Sequence, residues 1–403
     1  MSDSEKDSDK KGVSRRQFLS AGAIPIAAAI LPAAAAAQTA ASGEGSRDAR
    51  RDGVIRVGMI GAGRNLQRVQ IPGFRNQAGV ELVAVANSSL ASSQRVAREF
   101  DIPKAYANWK ELIEDDDIDA VSIGTPPYMH RLVTLAALER GKHVLSQARM
   151  ARNVEEARDM LDASRRYPDL VTQVVPMSQS YWKDNLLRKM IEDGYVGEVL
   201  SVELQRLQTG RAELTGNHGF ADFGGELSWR HQQELGGYNA LNVGQTYEEA
   251  MRWLGRGTRV MAMSKVHVPY RKDGNGRMVS VDVPDHLDIM YELANGAQVH
   301  MKLSATTGLS TGNQTWIYGS EGTILADNDR KIYAGKRGDS RLTEVPNPES
   351  GQAHYRVEEE FINAVRGAER VSMNTFEIGV AYMEFIEAVY RSSRTGQAVY
   401  LPM

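Results

Sequence analysis

Two glycines one residue apart, Gly61 and Gly63, follow the apolar run Val54-Ile55-Arg56-Val57-Gly58-Met59-Ile60 and precede a segment of helix length. A strand ending in such a turn lets the main chain approach a pyrophosphate, which the amino terminus of the next helix then stabilises. The third position of this fingerprint is Leu66, where glycine or alanine would permit close helix packing, so a plain strand-to-helix turn also fits. Asn87 closes a second apolar run, residues 80–86, at the place where an acidic residue ordinarily holds the ribose hydroxyls of a dinucleotide. With Ser88, Ser89 and Arg95 nearby, this neutral residue does not repel a 2′-phosphate, so NADP and NAD both remain open. Asn87 is equally able to bond a ribose hydroxyl directly. The 403 residues contain no cysteine, which excludes disulfides, thiolate metal sites and cysteine nucleophiles. His218 and His231 have no third ligand at metal spacing, so no metal is expected.

The elements that would position these residues alternate. Runs at 120–124 and 143–145 repeat the buried-strand pattern, and helix-like stretches lie between them, with Leu132, Leu135 and Leu138 at three-residue spacing and Ala157, Met160 and Leu161 on one face. This predicts an α/β protein whose first domain, residues 53–175, is a doubly wound parallel Rossmann sheet. Beyond it, Leu186, Leu187, Met190 and Ile191 mark a helix, and segments 198–206, 285–293, 297–303 and 314–318 alternate as strands with turns at Asn295-Gly296 and Glu321-Gly322. Residues 176–403 are therefore expected to form an α/β domain with a large, open, mostly antiparallel sheet, with 271–277 and 335–351 as surface loops.

The amino terminus is set apart. Ser14-Arg15-Arg16-Gln17-Phe18-Leu19 leads into an alanine-rich apolar run that ends in Ala35-Ala36-Ala37. It resembles a twin-arginine export signal over residues 1–37, which implies passage to the periplasm of a folded protein already holding its cofactor. A membrane anchor is the alternative, but Pro25, Pro32 and the lack of a stop-transfer flank count against a stable span. Residues 38–52 read as a flexible arm. A net charge of −3 supplies no basic face for nucleic acid.

Thr125-Pro126-Pro127-Tyr128-Met129-His130, followed by Gly141-Lys142-His143-Val144-Leu145, resembles the fourth-strand signature and the following segment of the Gfo/Idh/MocA family, named for glucose-fructose oxidoreductase and inositol dehydrogenase. Gly194-Tyr195-Val196-Gly197-Glu198, Gly236-Gly237, Arg252-Trp253-Leu254-Gly255 and Gly319-Ser320-Glu321-Gly322-Thr323 continue it in family order. The resemblance implies an NAD(P)-dependent oxidoreductase acting on carbohydrate-like or cyclic hydroxy and keto compounds, in an oligomer of identical chains. By match, Gly61, Gly63, Arg64, Asn65, Asn87, Ser88, Thr125, Pro126 and His130 would line the dinucleotide, with Gln147 and Arg230 beside it. For His130, a bond to local backbone is the competing role.

The family chemistry is interrupted. Relatives carry a Glu-Lys-Pro triplet whose lysine polarises the reacting oxygen; here the stretch is Ser146-Gln147-Ala148-Arg149, and the lysine position is Ala148. The Asp and His that relatives place one helical turn apart fall on Asn242 and Thr246. None of the three titrates near neutral pH, and general acid–base assistance is worth roughly two to four orders of magnitude in rate. Arg149 could replace the lysine as a fixed cation, or pair with an acidic neighbour instead. Tyr128 and Tyr181 are candidates beside the nicotinamide, or packing groups, and His231 is a candidate base or an exposed loop histidine.

Three functions compete. One is a periplasmic oxidoreductase with a rearranged acid–base set whose retained nucleotide is re-oxidised by a second substrate. Another is a redox-neutral glycosidase or lyase that uses the nucleotide transiently, as some exported relatives lacking the lysine do. The last is a nucleotide- or sugar-binding protein that has lost its chemistry.

Overall fold

The computed structural model describes residues 53–176, 181–207, 220–347 and 355–403. The twin-arginine segment, the arm at 38–52, His218 and the side chain of Tyr181 lie outside the described residues.

Six short strands form the first sheet: β1 (Ile55–Ile60), β2 (Val80–Ala86), β3 (Lys104–Tyr106), β4 (Ala120–Ile123), β5 (His143–Ser146) and β6 (Thr172–Val174). All neighbours are parallel, in the order β3-β2-β1-β4-β5-β6. The strand order reverses between β1 and β4, and the crevice at the carboxyl ends of these two strands is where such sheets bind dinucleotides. β4 is buried at every position, as expected of a strand covered on both faces. The covering helices include α1 (Ile71–Arg75), α2 (Leu90–Glu99), α3 (Trp109–Glu114), α4 (His130–Glu139) and α5 (Val154–Arg166). Local chemistry starts them: Ser89 caps α2 by accepting from the Ser92 amide, and Asn153 caps α5 by accepting from Glu156. Glu155 and Glu156 in the first turn of α5, and Arg165 and Arg166 in its last, complement the helix dipole.

After α6 (Tyr181–Glu192) and β7 (Val199–Leu207) comes the short helix α7 (Gln233–Gly236), followed by α8 (Val243–Leu254). The remaining strands are β8 (Gly257–Lys265), β9 (Tyr270–Lys272), β10 (Met278–Ser280), β11 (His286–Leu293), β12 (Gln298–Ser304), β13 (Asn313–Gly319), β14 (Gly322–Ala326), β15 (Ile332–Lys336), β16 (Thr343–Val345) and β17 (Val399–Tyr400), with helices α9 (Val357–Val365) and α10 (Phe376–Thr395) before the last strand. Nine strands make one sheet in the order β16-β15-β14-β13-β7-β12-β11-β8-β17, antiparallel except where β7 meets β12. Alternation sorts its two faces. Leu287, Ile289, Tyr291 and Leu293 of β11 point into the core, whereas Met290 points outward with Met261 and Met263 of β8. On the inner face Tyr247 of α8 stacks on Phe385 of α10, with ring centres 3.8 Å apart.

Three sequence expectations shift. Residues 271–277 are not wholly a loop, because β9 and β10 pair as a hairpin around them, and β15 and β16 extend the large sheet into 335–351. The carboxyl-terminal region is shared between the domains: Phe361 of α9 packs edge-on against Phe74 of α1, in the core of the first domain.

Helix α8, which carries Thr246 and begins at Asn242, is held by buried charges. Glu249 pairs with Lys183 of α6 at 2.6 Å and Arg206 of β7 at 2.8 Å, while Arg252 pairs with Asp184 of α6 and with Glu248. Burial would raise the Glu249 pKa, but Arg206 and Lys183 outweigh it and bring it down to about 2. Removing one member of such a set strands its partner in a dry core.

Candidate active site

The nucleotide end is built around Gly61. Its φ is +74°, its amide donates to the Ala86 carbonyl at 2.8 Å, and a Cβ added there would lie 2.7 Å from the Thr125 nitrogen. Only glycine fits that position. A Cβ on Gly63 would meet nothing closer than 3.9 Å, so space is open beside this turn. Leu66, the misfit of the fingerprint, is buried against β4, and the room for it is made by Gly124, where a Cβ would lie 2.1 Å from the leucine methyl. The small residue has moved from the helix to the end of the strand it packs on.

Asn65 donates to the Gln147 side chain at 3.0 Å and so joins the glycine turn to the segment after β5. Gln147 Nε2 and Thr125 Oγ1 are buried without a protein partner. Orphaned polar atoms beside a glycine cradle are what a dinucleotide would complete. At the adenosine end, the Asn87 amide donates to Ser93 Oγ at 2.8 Å, and its side chain lies 3.4 Å from Ser92. Arg95 reaches Ser92 Oγ at 3.3 Å. Ser88 and Arg64 are exposed, and Pro126 leads into a single 3₁₀ turn, Pro127–Met129.

His130 is buried with both ring nitrogens facing main-chain carbonyls, Nε2 at 2.8 Å from that of Thr125 and Nδ1 at 2.9 Å from that of Arg149, and the neutral ring donates to one of them. Burial holds its pKa below the usual value. Of its two expected roles it takes the backbone one, bracing the loop after β4 against the segment after β5.

That segment carries Arg149, which is only 4% exposed. Its Nη2 donates to the Asn239 carbonyl at 2.9 Å and lies 3.4 Å from Asn242 Oδ1. Its Cζ sits 5.4 Å from the centre of the Trp229 indole, and that of Arg230 sits 4.2 Å from the same ring. The neighbouring Met150 amide donates to the Tyr382 hydroxyl of α10. Burial, with the Arg230 charge, pushes the Arg149 pKa down to about 9, so the group is still a cation at neutral pH. Among the described residues no carboxylate pairs with it, so the ion pair held open as its alternative role is absent.

Gly237 brings the second domain to this point. Its φ is +70°, and a Cβ there would lie 1.9 Å from the Arg152 carbonyl, so only a bare backbone can approach so closely. Asn239 then accepts from the Gly244 amide at 2.7 Å and donates to Gln245, fixing the entry to α8, while Leu241 and Asn242 both adopt left-handed backbone angles. Asn242 is exposed beside Arg149. Thr246 is buried one turn along, and its hydroxyl donates to the Asn242 carbonyl at 3.1 Å.

His231 Nδ1 accepts from the Ser228 amide at 3.0 Å. Burial lowers its pKa to about 4, with the Arg271 and Arg230 charges adding to the effect and Asp285 opposing it. The imidazole is neutral at physiological pH and a weak base. Tyr128 is exposed on the 3₁₀ turn after Pro126. Trp229 as a shared platform, Asn239 as a hinge and Tyr382 as a backbone partner were not expected from the sequence; of these, only the adjacency of Trp229 and Arg230 left a local sign.

A parallel six-stranded sheet with a glycine cradle at its switch point, met by a second domain at Gly237 and Asn239, fits a dinucleotide-dependent oxidoreductase. Residues 55–174 match the family described as oxidoreductases with an NAD-binding Rossmann fold, and residues 185–325 match its carboxyl-terminal domain, so the chain belongs to the Gfo/Idh/MocA family. It is 29% identical over 314 residues to levoglucosan dehydrogenase of Pseudarthrobacter phenanthrenivorans, covering 72% of this chain and 77% of that one. It is 25% identical over 358 residues to D-glucoside 3-dehydrogenase of Escherichia coli K12, covering 86% and 97% of the two chains. A solved structure of levoglucosan dehydrogenase in complex with NADH superposes with a TM-score of 0.73 at 25% identity, over 87% of this chain and 99% of that one.

Proposed function

We propose that this chain is an exported, periplasmic oxidoreductase that keeps its nucleotide and oxidises or reduces a carbohydrate-like or cyclic hydroxy or keto compound with Arg149 in place of the family's proton-handling set. The observation that carries this is the position of Arg149: buried and cationic, it lies between the segment after β5 and the entry to α8, where Ala148, Asn242 and Thr246 offer nothing that titrates. Bound NAD(P) supplies the hydride acceptor or donor. Arg149 stabilises negative charge on the substrate oxygen as the hydride moves, and the hydroxyl proton passes to water at the exposed Asn242 side. In a return half-reaction a second carbonyl substrate would have its oxygen held by Arg149 in the same way and would gain its proton from water. His130, Gln147 and Asn65 position the two loops between which this happens. The outer face of the large sheet, with Met261, Met263 and Met290 exposed, is the surface assigned to self-association.

Protein purified without added cofactor tests the reading. Denaturation and mass spectrometry should release near-stoichiometric NAD or NADP, and light scattering should give a mass above that of one chain. Turnover of a sugar pair without any external acceptor should follow. Protein that is empty and binds no added nucleotide would overturn the assignment; release of a leaving group with no net oxidation would move it to the redox-neutral lyase or glycosidase alternative.

A further inference from the structure

Two guanidinium groups share Trp229, that of buried Arg149 and that of exposed Arg230, and neither has an ion-pair partner among the described residues. Arg149 uses Nη2 on Asn239 and Asn242, whereas its Nε is buried with no hydrogen-bond partner. Arg230 stacks 4.2 Å from the indole centre and has no ion pair among the described residues. Two acids of this region are committed to backbone amides. Asp285 accepts from His267 and Val268, both at 2.8 Å, and Asp282 accepts from Gln233 at 3.0 Å. Glu156, seven residues after Arg149, pairs with Arg152. A buried cation left without a partner is costly, and a second cation over the same ring adds repulsion. The indole faces relieve part of this, since a ring attracts a cation by its quadrupole. An anion would relieve the rest.

Resting on the function proposed above, we infer that the substrate is an acid: its carboxylate pairs with Arg230, and the unpartnered edge of Arg149 addresses the neighbouring oxygen at which hydride transfer occurs. The compound is then a carboxylated sugar of the uronate or aldonate class rather than a neutral sugar or polyol. Arg230 becomes the residue that sets this preference. Its planar fork matches a carboxylate with two parallel hydrogen bonds, and its place on Trp229 fixes the plane of that fork.

Titration calorimetry on the NADH-loaded protein separates the possibilities. The probes are D-glucuronate, D-galacturonate, D-mannuronate and D-gluconate, each measured against its neutral counterpart glucose, galactose, mannose or glucitol at constant ionic strength. At least one acid should bind about tenfold or more tighter than its counterpart, as a charge-assisted hydrogen bond would give. Arg230→Gln should bring that ratio to within about threefold, and Arg230→Lys should restore part of it. No acid outbinding its counterpart, or a preference that survives Arg230→Gln, overturns the inference. Loss of NADH affinity in Arg230→Gln also overturns it, since the residue would then serve the nucleotide. Wild-type protein that cannot be loaded with NADH is a different failure, that of the proposed function itself.

Discussion

At the nucleotide end of the crevice, a departure from the fingerprint is matched by a change in the residue it touches; at the catalytic end, no such exchange is found. Leu66 occupies the place of a small residue, and Gly124, just after β4, lacks the side chain that would collide with it. Asn87 stands for an acid, and its neutral side chain lies 3.4 Å from Ser92, whose hydroxyl Arg95 also reaches. Across the crevice, among the described residues, no acid or lysine pairs with Arg149 beside Ala148, Asn242 and Thr246, and the histidine of this end, His231, is a weak base. Steric constraints can be traded between two surfaces, because only their combined volume is fixed. Proton transfer cannot be traded in this way, because it needs a group whose pKa lies near the working pH within reach of the reacting atom. The described residues at this end offer Arg149 at about 9 and His231 at about 4.

The largest effect that would break the comparison lies at Gly61. A valine there needs a Cβ 2.7 Å from the Thr125 nitrogen and a φ of +74° that β-branched residues avoid. Gly61→Val should weaken NADH binding by about a hundredfold or more in a fluorescence titration, with a lowered melting temperature. Affinity within about threefold of the wild type would mean that the cradle is not the nucleotide site.

A smaller effect is expected where the family would place its lysine. Ala148 packs against the core of the second domain, and a lysine there would face Arg149 without the acid and histidine that make it useful. Ala148→Lys should leave kcat/KM for any sugar oxidised by the wild type within about tenfold, because a cation is already present and no proton relay is restored. A rise of about a hundredfold would show that the loss of the lysine is a single defect and not part of a rebuilt site.

The sequence made the repeating parts of this molecule legible. β1, β2, β4 and β5 stand out as apolar runs, and β11, β12 and β13 as alternations, because a period of two is written in neighbouring residues. The glycine turn was equally visible, since its conformation depends on the residue that adopts it. What depends on partners distant in the chain was not. Nothing near Leu66 announces Gly124, and nothing in the α9 stretch says that Phe361 will pack on Phe74. The β9–β10 hairpin reads as a loop because its strands are polar and half exposed, with no buried face to impose a pattern. The role of His130 was open from sequence for the same reason: both of its carbonyl partners are set by tertiary structure, and only their positions decide between a ligand and a brace.

The smallest effect probes the field of the unpaired arginines through His231. Its pKa falls from 6.5 to about 4 through burial and the charges of Arg271 and Arg230, opposed by Asp285. Between these two values the unfolded chain binds a proton at this imidazole and the folded protein does not, so stability must fall as the pH drops through the window. Above 6.5 both states are neutral and the site contributes no slope. His231→Asn keeps an acceptor for the Ser228 amide but cannot titrate, so its urea midpoint should change less than that of the wild type between about pH 7 and about pH 4.5. Nuclear magnetic resonance titration of the imidazole checks the same point directly. In Arg230→Gln the His231 pKa should move up toward 6.5, because one of the charges that lower it is gone. An imidazole that titrates at its ordinary value in the wild type would mean that neither its burial nor the Arg271 and Arg230 charges act on it, and the contrast between the two ends of the crevice would lose its electrostatic basis.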